Sequence, residues 1–93
     1  MALRLLWDPR KAGSNEQKHG VGFQEVTTVF DDPLSVTIPD LAHSVDEERF
    51  LLAGLSIRRR LLVLAQSQRG ESIRIISAGR ANRRERRIYD QDR

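Results

Sequence analysis

The spacing of apolar and polar residues predicts that this chain begins with a short strand and a helix. Leucine or tryptophan stands at every second position of residues 3–7, as in a strand with one or both faces covered. Asp8 followed by Pro9 starts a helix, because aspartate caps free backbone N–H groups and proline fits the first helical position. Gly20, after two cationic residues, is typical of a helix end, so this helix is predicted over residues 9–19.

A second helix and a half-buried strand are predicted next. Apolar residues recur three and four positions apart over residues 23–30, which predicts a short helix ended by the Asp-Asp-Pro of residues 31–33. Apolar and polar residues alternate over residues 34–38, which predicts a half-buried strand. The acidic stretch of residues 41–48 is predicted to be a loop.

Three further runs, residues 49–55, 60–67 and 72–77, are predicted to be strands joined as antiparallel hairpins. The links between them, residues 56–59 and 69–70, are too short for a crossover helix. The middle run is apolar without alternation, which is typical of a central strand covered on both faces.

A final helix is predicted because Asn82 and Glu85 have the spacing of a capping box, and the helix extends to about Gln91. The element order β-α-α-β-β-β-β-α predicts an α+β fold in a single domain over residues 1–93. We expect an antiparallel sheet of about four to five strands, with both N-terminal helices against one face and the C-terminal helix beside the sheet.

Charge is divided unevenly along the chain. Residues 1–48 carry four Lys/Arg against nine Asp/Glu, and residues 49–93 carry twelve against four. The arginine-rich half suggests a surface for a polyanion, and RNA is the first expectation because the planar guanidinium fits phosphate and stacks on bases. The absence of cysteine excludes disulfides and thiolate metal sites. The N-terminal apolar run is too short for a signal peptide or a membrane span, so we expect a soluble cytoplasmic protein without a membrane partner.

Short motifs spread over nearly the whole chain resemble one known family. The motifs are Trp7-Asp8-Pro9, Lys11, Asn15, Lys18-His19-Gly20-Val21, Phe23, Phe30-Asp31-Asp32-Pro33, Glu48-Arg49-Phe50, Arg74-Ile75-Ile76-Ser77-Ala78, and Glu85-Arg86-Arg87 with Tyr89. No single motif is diagnostic. In this order and at this spacing, they resemble the BrnT toxins of type II toxin-antitoxin systems.

The resemblance implies a RelE-like fold, toxicity through RNA cleavage, and neutralisation by a cognate BrnA-type antitoxin. The toxin-antitoxin complex is expected to repress the shared promoter, so operator DNA would be contacted only through that complex. No cofactor is implied. The two histidines and scattered carboxylates have no spacing suited to a metal site, so a metal-independent mechanism is expected. In RelE-like nucleases positively charged side chains often take the roles of histidine and glutamate in other ribonucleases.

Two departures from the family pattern bear on catalysis. Gly79 stands where an arginine commonly follows the Ser-Ala pair, with Arg80 one residue later, and Gln66 stands at a strand end that often bears histidine. Either change can weaken cleavage, although the conformational freedom of glycine allows Arg80 to swing into the vacant place. Asn82, where threonine is usual, caps a helix about as well.

Lys18 and His19 are candidate catalytic residues. His19 suits a general base or acid because its ordinary pKa lies near neutrality, and Lys18 beside it can hold a phosphate. Both also lie in the last predicted helical turn, where the helix dipole favours cations in any protein, so a structural role is the alternative. His43, in the acidic loop, is predicted to be a solvated residue.

Arg49 and Arg74 are further candidate catalytic residues, binding phosphate. Arg74 alternates with isoleucines, so it projects from the other sheet face and must reach a phosphate, water or a carboxylate such as Glu48. Arg49 begins an adjoining strand. A tight turn would place Arg49 across from Gln66, and a surface ion pair is the alternative.

Arg80, Arg83 and Tyr89 are candidate RNA-binding residues of the C-terminal segment. Arginines at the start of the final helix, where chain and sheet meet, are better placed for RNA than those further along. The alternative is a solvated helix with ion pairs one turn apart. Tyr89 can stack on a base or donate a proton, but packing against the domain is the preferred interpretation.

Two functions of different classes fit these residues. The first is a sequence-tolerant endoribonuclease toxin. The second is a homologue that has lost cleavage through Gly79 and Gln66 and acts as an RNA-binding protein or as a corepressor partner of the antitoxin. Both predict the same fold and a basic face, so RNA cleavage with and without a chelator is the discriminating measurement.

Overall fold

The computed structural model of the protein describes residues 4–40 and 49–91. The strands are β1 (Arg4–Leu6), β2 (Val36–Pro39), β3 (Arg49–Leu55), β4 (Leu61–Arg69) and β5 (Ser72–Arg80), and the helices are α1 (Pro9–His19), α2 (Phe23–Thr27) and α3 (Arg83–Gln91). The predicted loop over residues 41–48, with His43 and Glu48, lies outside the described residues. Among the residues that are described, no helix is long and apolar enough to cross a membrane.

In the described part of the chain, five strands form one sheet in the order β1-β5-β4-β3-β2. The hairpins β3–β4 and β4–β5 are antiparallel, as their short links predict, and β4 is central, with residues 61–64 all buried. β1 departs from the predicted antiparallel sheet because it runs parallel to β5, with Arg4 opposite Ser72. The hairpin links carry no information on β1, which is followed by a helix instead of a tight turn.

Different helices cover the two faces of the sheet. α1 and α2 lie on one face, as predicted, and we call it the α2 face. Its buried core consists of Val21, Phe23, Val26, Val29, Leu52, Leu62, Leu64, Ile75 and Ala78. The C-terminal helix is not beside the sheet but packs across the opposite face, the α3 face, where Tyr89 joins Ala53, Leu61 and Val63. α3 is mostly charged and therefore has few apolar residues to bury. It packs on the opposite face because the α2 face is already covered by α1 and α2.

The second predicted helix has two parts. α2 ends at Thr27, and a 3₁₀ turn over Thr28–Asp31 completes the predicted length. The hydroxyl groups of Thr27 and Thr28 donate to the carbonyls of Gln24 and Glu25, at 2.7 and 2.6 Å. Such side-chain bonds compete with the regular α-helical pattern, which accounts for the tighter turn.

An ion pair fixes the β3–β4 hairpin against α2. The Glu25 carboxylate accepts hydrogen bonds from Ser56 Oγ at 2.6 Å and from Arg60 Nε at 2.9 Å. Thr28 Oγ1 accepts from the Ile57 N–H at 2.8 Å. The hydrogen bond from Arg60 is the main cause that lowers the pKa of Glu25 to about 2, against the opposing effect of burial. The hairpin therefore carries a charge-assisted network that requires ionised Glu25.

Asp32 attaches α3 to the rest of the fold. Its Oδ2 accepts hydrogen bonds from the Leu55 N–H at 2.8 Å and from the Tyr89 hydroxyl at 2.7 Å. Gly54 allows the close approach of the 3₁₀ turn, because a Cβ at that position would lie 2.8 Å from Val29 Cγ1. The position of α3, and with it one side of the cleft described next, depends on this contact.

Candidate active site

A cleft of about 210 Å³ opens between the end of α1, the start of α3 and the sheet. Its floor includes the small residues Ala65, Ser77 and Gly79, since Ala65 is paired with Ser77 and Gly79 with Val63. The residues that line it are His19, Leu51, Val63, Ala65, Ser77, Ala78, Gly79, Arg80 and Glu85. Polar and ionisable groups from α1, β5 and α3 thus meet over a floor that leaves room for a ligand.

A β-bulge in β5 shapes this floor. Ala65 pairs with Ser77, but the next residue of β4, Gln66, pairs with Ile75, so Ile76 is an extra residue. The bulge places Arg74 and Ser77 on the same face, although strict alternation would separate them. The sequence predicted β5 only to Ser77, without a bulge, because no pattern of residue types marks the extra residue.

Arg49 and Arg74 lie in one row across β4 on the α3 face. Arg49 is paired with Ser67, and Ser67 is paired with Arg74, so all three side chains project from the same face. Arg74 is exposed and Arg49 is half-buried. Along β4, Ala65 of the cleft floor is the next residue on that face. Arg49 on β3 and Arg74 on β5 therefore lie on either side of β4, beyond the cleft floor, and neither is among the residues that line the cleft.

The predicted register of Arg49 is wrong by one residue, which changes the assignment of Gln66. Gln66 is paired with Phe50 and lies on the α2 face, where it is buried beside Thr37. A shift of one residue moves a side chain to the other side of a sheet. Gln66 thus faces away from the cleft, and the expectation that it weakens catalysis there is corrected.

His19 is held at the edge of the cleft by a buried clamp on α1. Asn15, 6% exposed, donates from Nδ2 to the Val21 carbonyl and accepts at Oδ1 from the Ala78 N–H, both at 3.0 Å. These bonds tie the last turn of α1 and the chain after it to β5. Gly20 ends the helix in the left-handed conformation, with φ 69°. His19 is exposed and lines the cleft.

Lys18 lies in a neighbouring hollow and not in the cleft itself. That hollow, of about 200 Å³, is lined by Lys11, Ser14, Asn15, Lys18, His19, Ile76 and Ser77. His19 and Ser77 are common to both cavities. The predicted Lys18-His19 pair is therefore divided between the two cavities. His19 lines both of them, whereas Lys18 lines only the hollow.

Glu85 is a site residue that the sequence predicted only as a helix cap. Its Oε1 accepts from the Asn82 N–H, and its own N–H donates to Asn82 Oδ1, both at 2.8 Å. This confirms the capping box and holds the glutamate over the cleft, which Arg80 also lines. A useful signal was available in the sequence, because a capping glutamate must turn back toward the strand end that precedes its helix.

The last two candidate residues, Arg83 and Tyr89, both lie outside the lining of the cleft. Arg83 is exposed in the first turn of α3, near the cleft but not among its lining residues. Tyr89 is 2% exposed, and its hydroxyl donates to Asp32. Its ring has no open face for a base, so the RNA-binding assignment of Tyr89 is corrected to the packing role.

Residues 4–40 and 49–91 contain no group of three or more His, Cys, Asp or Glu arranged to hold a metal ion. Of the charged residues that line the two cavities, Lys11, Lys18 and Arg80 are cations and Glu85 is an anion. A phosphate group is the ligand that such a set of side chains suits.

Residues 7–85 match a protein family described as "Ribonuclease toxin, BrnT, of type II toxin-antitoxin system". The chain belongs to the BrnT family. The matched segment includes the α1 clamp, both arginines of the row and all residues that line the cleft. Membership in a type II toxin-antitoxin family also implies an antitoxin partner.

A solved structure agrees with this assignment at the level of the fold. The crystal structure of the Brucella abortus ribonuclease toxin, BrnT, is similar with a TM-score of 0.68 over 88% of this chain and 100% of that chain, at 19% identity. The α+β fold predicted from the sequence is confirmed. No curated protein matches the chain.

Proposed function

We propose that this BrnT-family chain is a metal-independent endoribonuclease, the toxin of a type II pair, and that it cuts RNA in the cleft bordered by His19 and Glu85. The observation that carries the proposal is that an imidazole, a carboxylate and the guanidinium-bearing Arg80 line one cleft, with Arg49 and Arg74 beyond one end of it on the same sheet face. These are the groups that phosphodiester cleavage requires when no metal takes part.

The reaction is transesterification by the ribose 2′-oxygen. A base removes the 2′-hydroxyl proton, the oxygen attacks the adjacent phosphorus, and the 5′-oxygen leaves with a proton from an acid. The products are a 2′,3′-cyclic phosphate and a 5′-hydroxyl. Glu85, the carboxylate that lines the cleft, serves as the base, and His19, the imidazole at the edge of the cleft, serves as the acid.

Cationic side chains stabilise the charge that develops on phosphorus. Arg49 and Arg74 flank Ser67 and hold the RNA backbone, while Arg80, which lines the cleft although its pairing with Leu62 places it on the α2 face, supplies the cation at the scissile phosphate. Lys18 adds positive charge from the adjoining hollow, and Arg83 contacts RNA beyond the cleft. Arginine supplies bidentate contacts that lysine cannot.

A BrnA-type antitoxin is the proposed partner of this chain. The family belongs to type II toxin-antitoxin systems, in which a toxin has an antitoxin. We propose that the complex, and not the toxin alone, contacts operator DNA. Co-expression with the neighbouring gene tests this part, because a cognate antitoxin should co-purify with the toxin and abolish RNA cleavage.

A second candidate function rests on Gly79. Glycine has no side chain, so position 79 lacks the cation that the family pattern has there, and a Cβ would lie 3.8 Å from His19 Nδ1. A chain weakened in this way would bind RNA without cutting it efficiently. It would still serve as a partner of the antitoxin.

Cleavage of a defined RNA distinguishes these functions. The purified chain is incubated with a single-stranded RNA, with and without EDTA, and with the same strand carrying 2′-deoxyriboses. We expect cleavage that EDTA leaves unchanged and that the 2′-deoxy strand abolishes, with cyclic phosphate ends. His19→Ala and Glu85→Gln should each lower the rate about a hundredfold or more. Loss of activity in EDTA contradicts the metal-independent mechanism, and binding without cleavage favours the second candidate.

A further inference from the structure

The hollow beside the cleft is lined by one face of α1. Lys11, Ser14, Asn15 and Lys18 are spaced three, four and seven residues apart, so they lie in one row along the helix. Lys11 and Lys18 are the only two lysines of the chain. Both are exposed, and they are separated by about 10 Å along the helix axis, so they flank the hollow.

The chemistry of this hollow suits an anion. Its lining residues offer two ammonium groups and the hydroxyl groups of Ser14 and Ser77, and none of them is a carboxylate. The one acidic residue of α1, Glu16, borders a different cavity, together with Trp7 and Glu25. The helix thus keeps its negative charge away from the side on which both lysines lie.

The hollow is preorganised by the same clamp that holds His19. Asn15 is buried in the middle of the lysine row and hydrogen-bonds the Ala78 N–H of β5, so α1 cannot move away from the sheet without breaking that bond. The bulged residue Ile76 forms part of the opposite wall. A rigid cationic hollow loses little conformational freedom on binding.

We propose that Lys11, Ser14 and Lys18 form a second phosphate subsite, which holds the RNA phosphate next to the scissile one. This rests on the proposed function, because it assigns the scissile phosphate to the cleft. The cleft and the hollow share His19 and Ser77, so consecutive phosphates of one strand can occupy them. The strand then runs from the arginine row, past His19, to the lysines.

The first test measures binding without cleavage. Affinity for a single-stranded 2′-deoxyoligonucleotide is measured over a range of salt concentrations for the wild type, Lys11→Gln, Lys18→Gln and Arg10→Gln. Arg10 is the matched control, because it is an exposed cation on the same helix that does not line the hollow. Each lysine variant should reduce the slope of log K against log salt by about 0.7, the value for one phosphate contact of a single strand.

The subsite would be overturned if Arg10→Gln and Lys11→Gln reduced the salt slope equally, or if both lysine variants kept the wild-type slope. Because the probe cannot be cleaved, this result is independent of whether the chain is a nuclease. A chain that cuts no RNA but shows the expected slopes retains the subsite and loses the proposed reaction.

The second test places one phosphate in the subsite. A neutral methylphosphonate replaces, one at a time, the phosphates next to the cleaved bond of a short RNA. At one position the substitution should slow the wild type about tenfold and have little further effect on the Lys11→Gln, Lys18→Gln double variant, which has already lost that contact. In the Arg10→Gln variant, the same methylphosphonate should slow cleavage as much as it does in the wild type. The assignment would be contradicted if the methylphosphonate and the two lysine substitutions lowered the cleavage rate additively at every phosphate position.

Discussion

The imidazole Nδ1 of His19 lies 3.8 Å from the point where a Cβ on Gly79 would stand. This is an ordinary van der Waals distance, and Gly79 is not among the residues with positive φ. A side chain is therefore tolerated at position 79, directly beside the proposed acid. A side chain at position 79 would therefore lie beside His19 among the residues that line the cleft.

The first prediction concerns which arginine serves the scissile phosphate. Arg80 lines the cleft, so Arg80→Ala should lower RNA cleavage about a hundredfold, nearly as much as Arg74→Ala, because each removes a charge-assisted contact. Gly79→Arg should change the rate little, since Arg80 already fills the role. Initial rates are measured at matched protein and salt concentrations.

Gly79→Ala is the control for steric effects at this position, because it adds the Cβ without a charge. The opposite outcome is that Gly79→Arg raises the cleavage rate well above that of Gly79→Ala while Arg80→Ala has no effect. In that case the natural chain lacks a catalytic cation, and the second candidate function is favoured. An active Arg74→Ala variant with unchanged cleavage would contradict the arginine row.

The second prediction concerns the Asn15 clamp. Asn15→Ala leaves the buried Ala78 N–H and the Val21 carbonyl without their side-chain partner, which should lower the free energy of unfolding by about 2–4 kcal/mol. Urea unfolding measures this loss. Gln17→Ala, at an exposed position of the same helix, should change stability by less than about 0.5 kcal/mol. Equal stability of the two variants would show that the clamp contributes nothing.

Much of the fold follows from local patterns. Asp8, Pro9 and Gly20 correctly bound α1 because they act on backbone groups within a few residues, and the Asn82–Glu85 capping box does the same for α3. The antiparallel hairpins follow from link length alone. Such signals are readable because both interacting groups are close in the sequence.

The site was less predictable, because it depends on register and on packing between distant segments. The pairing of Arg49 with Ser67 and the extra residue Ile76 determine which side chains share a face, and neither is marked by residue type. The packing of Tyr89 was the preferred interpretation of the sequence, but its hydrogen-bond partner Asp32, 57 residues away, was not predictable. Of the arginine and histidine candidates, His19 and Arg80 line the cleft, whereas Arg49 and Arg74 lie beyond it on the same sheet face as its floor.

The third prediction separates the structural role of Tyr89 from RNA binding. Tyr89→Phe keeps the buried ring and removes only the hydrogen bond to Asp32, so it should lower the free energy of unfolding by about 1–2 kcal/mol. Affinity for the 2′-deoxyoligonucleotide should stay unchanged, because the ring does not reach solvent. A variant of wild-type stability with weakened binding would restore the RNA-binding assignment.

The fourth prediction is an acid transition caused by Glu25. Its pKa is lowered from 4.5 to about 2 in the folded protein, chiefly by the hydrogen bond from Arg60. A carboxyl group whose folded pKa is depressed stabilises the fold fully above its unfolded pKa. That contribution is lost as the pH falls from about 4.5 toward about 2. After allowance for solvent screening, we expect about 1–2 kcal/mol from this group.

Glu25→Gln tests this assignment, because the amide cannot ionise. At pH 7 the variant should unfold at lower urea concentration than the wild type, since Ser56 and Arg60 lose a charged acceptor. The difference should shrink as the pH falls below 4 and nearly vanish near pH 2, where the wild-type carboxyl group is itself becoming protonated. A pH-independent difference in stability would mean that packing, and not the charge of Glu25, holds the β3–β4 hairpin against α2.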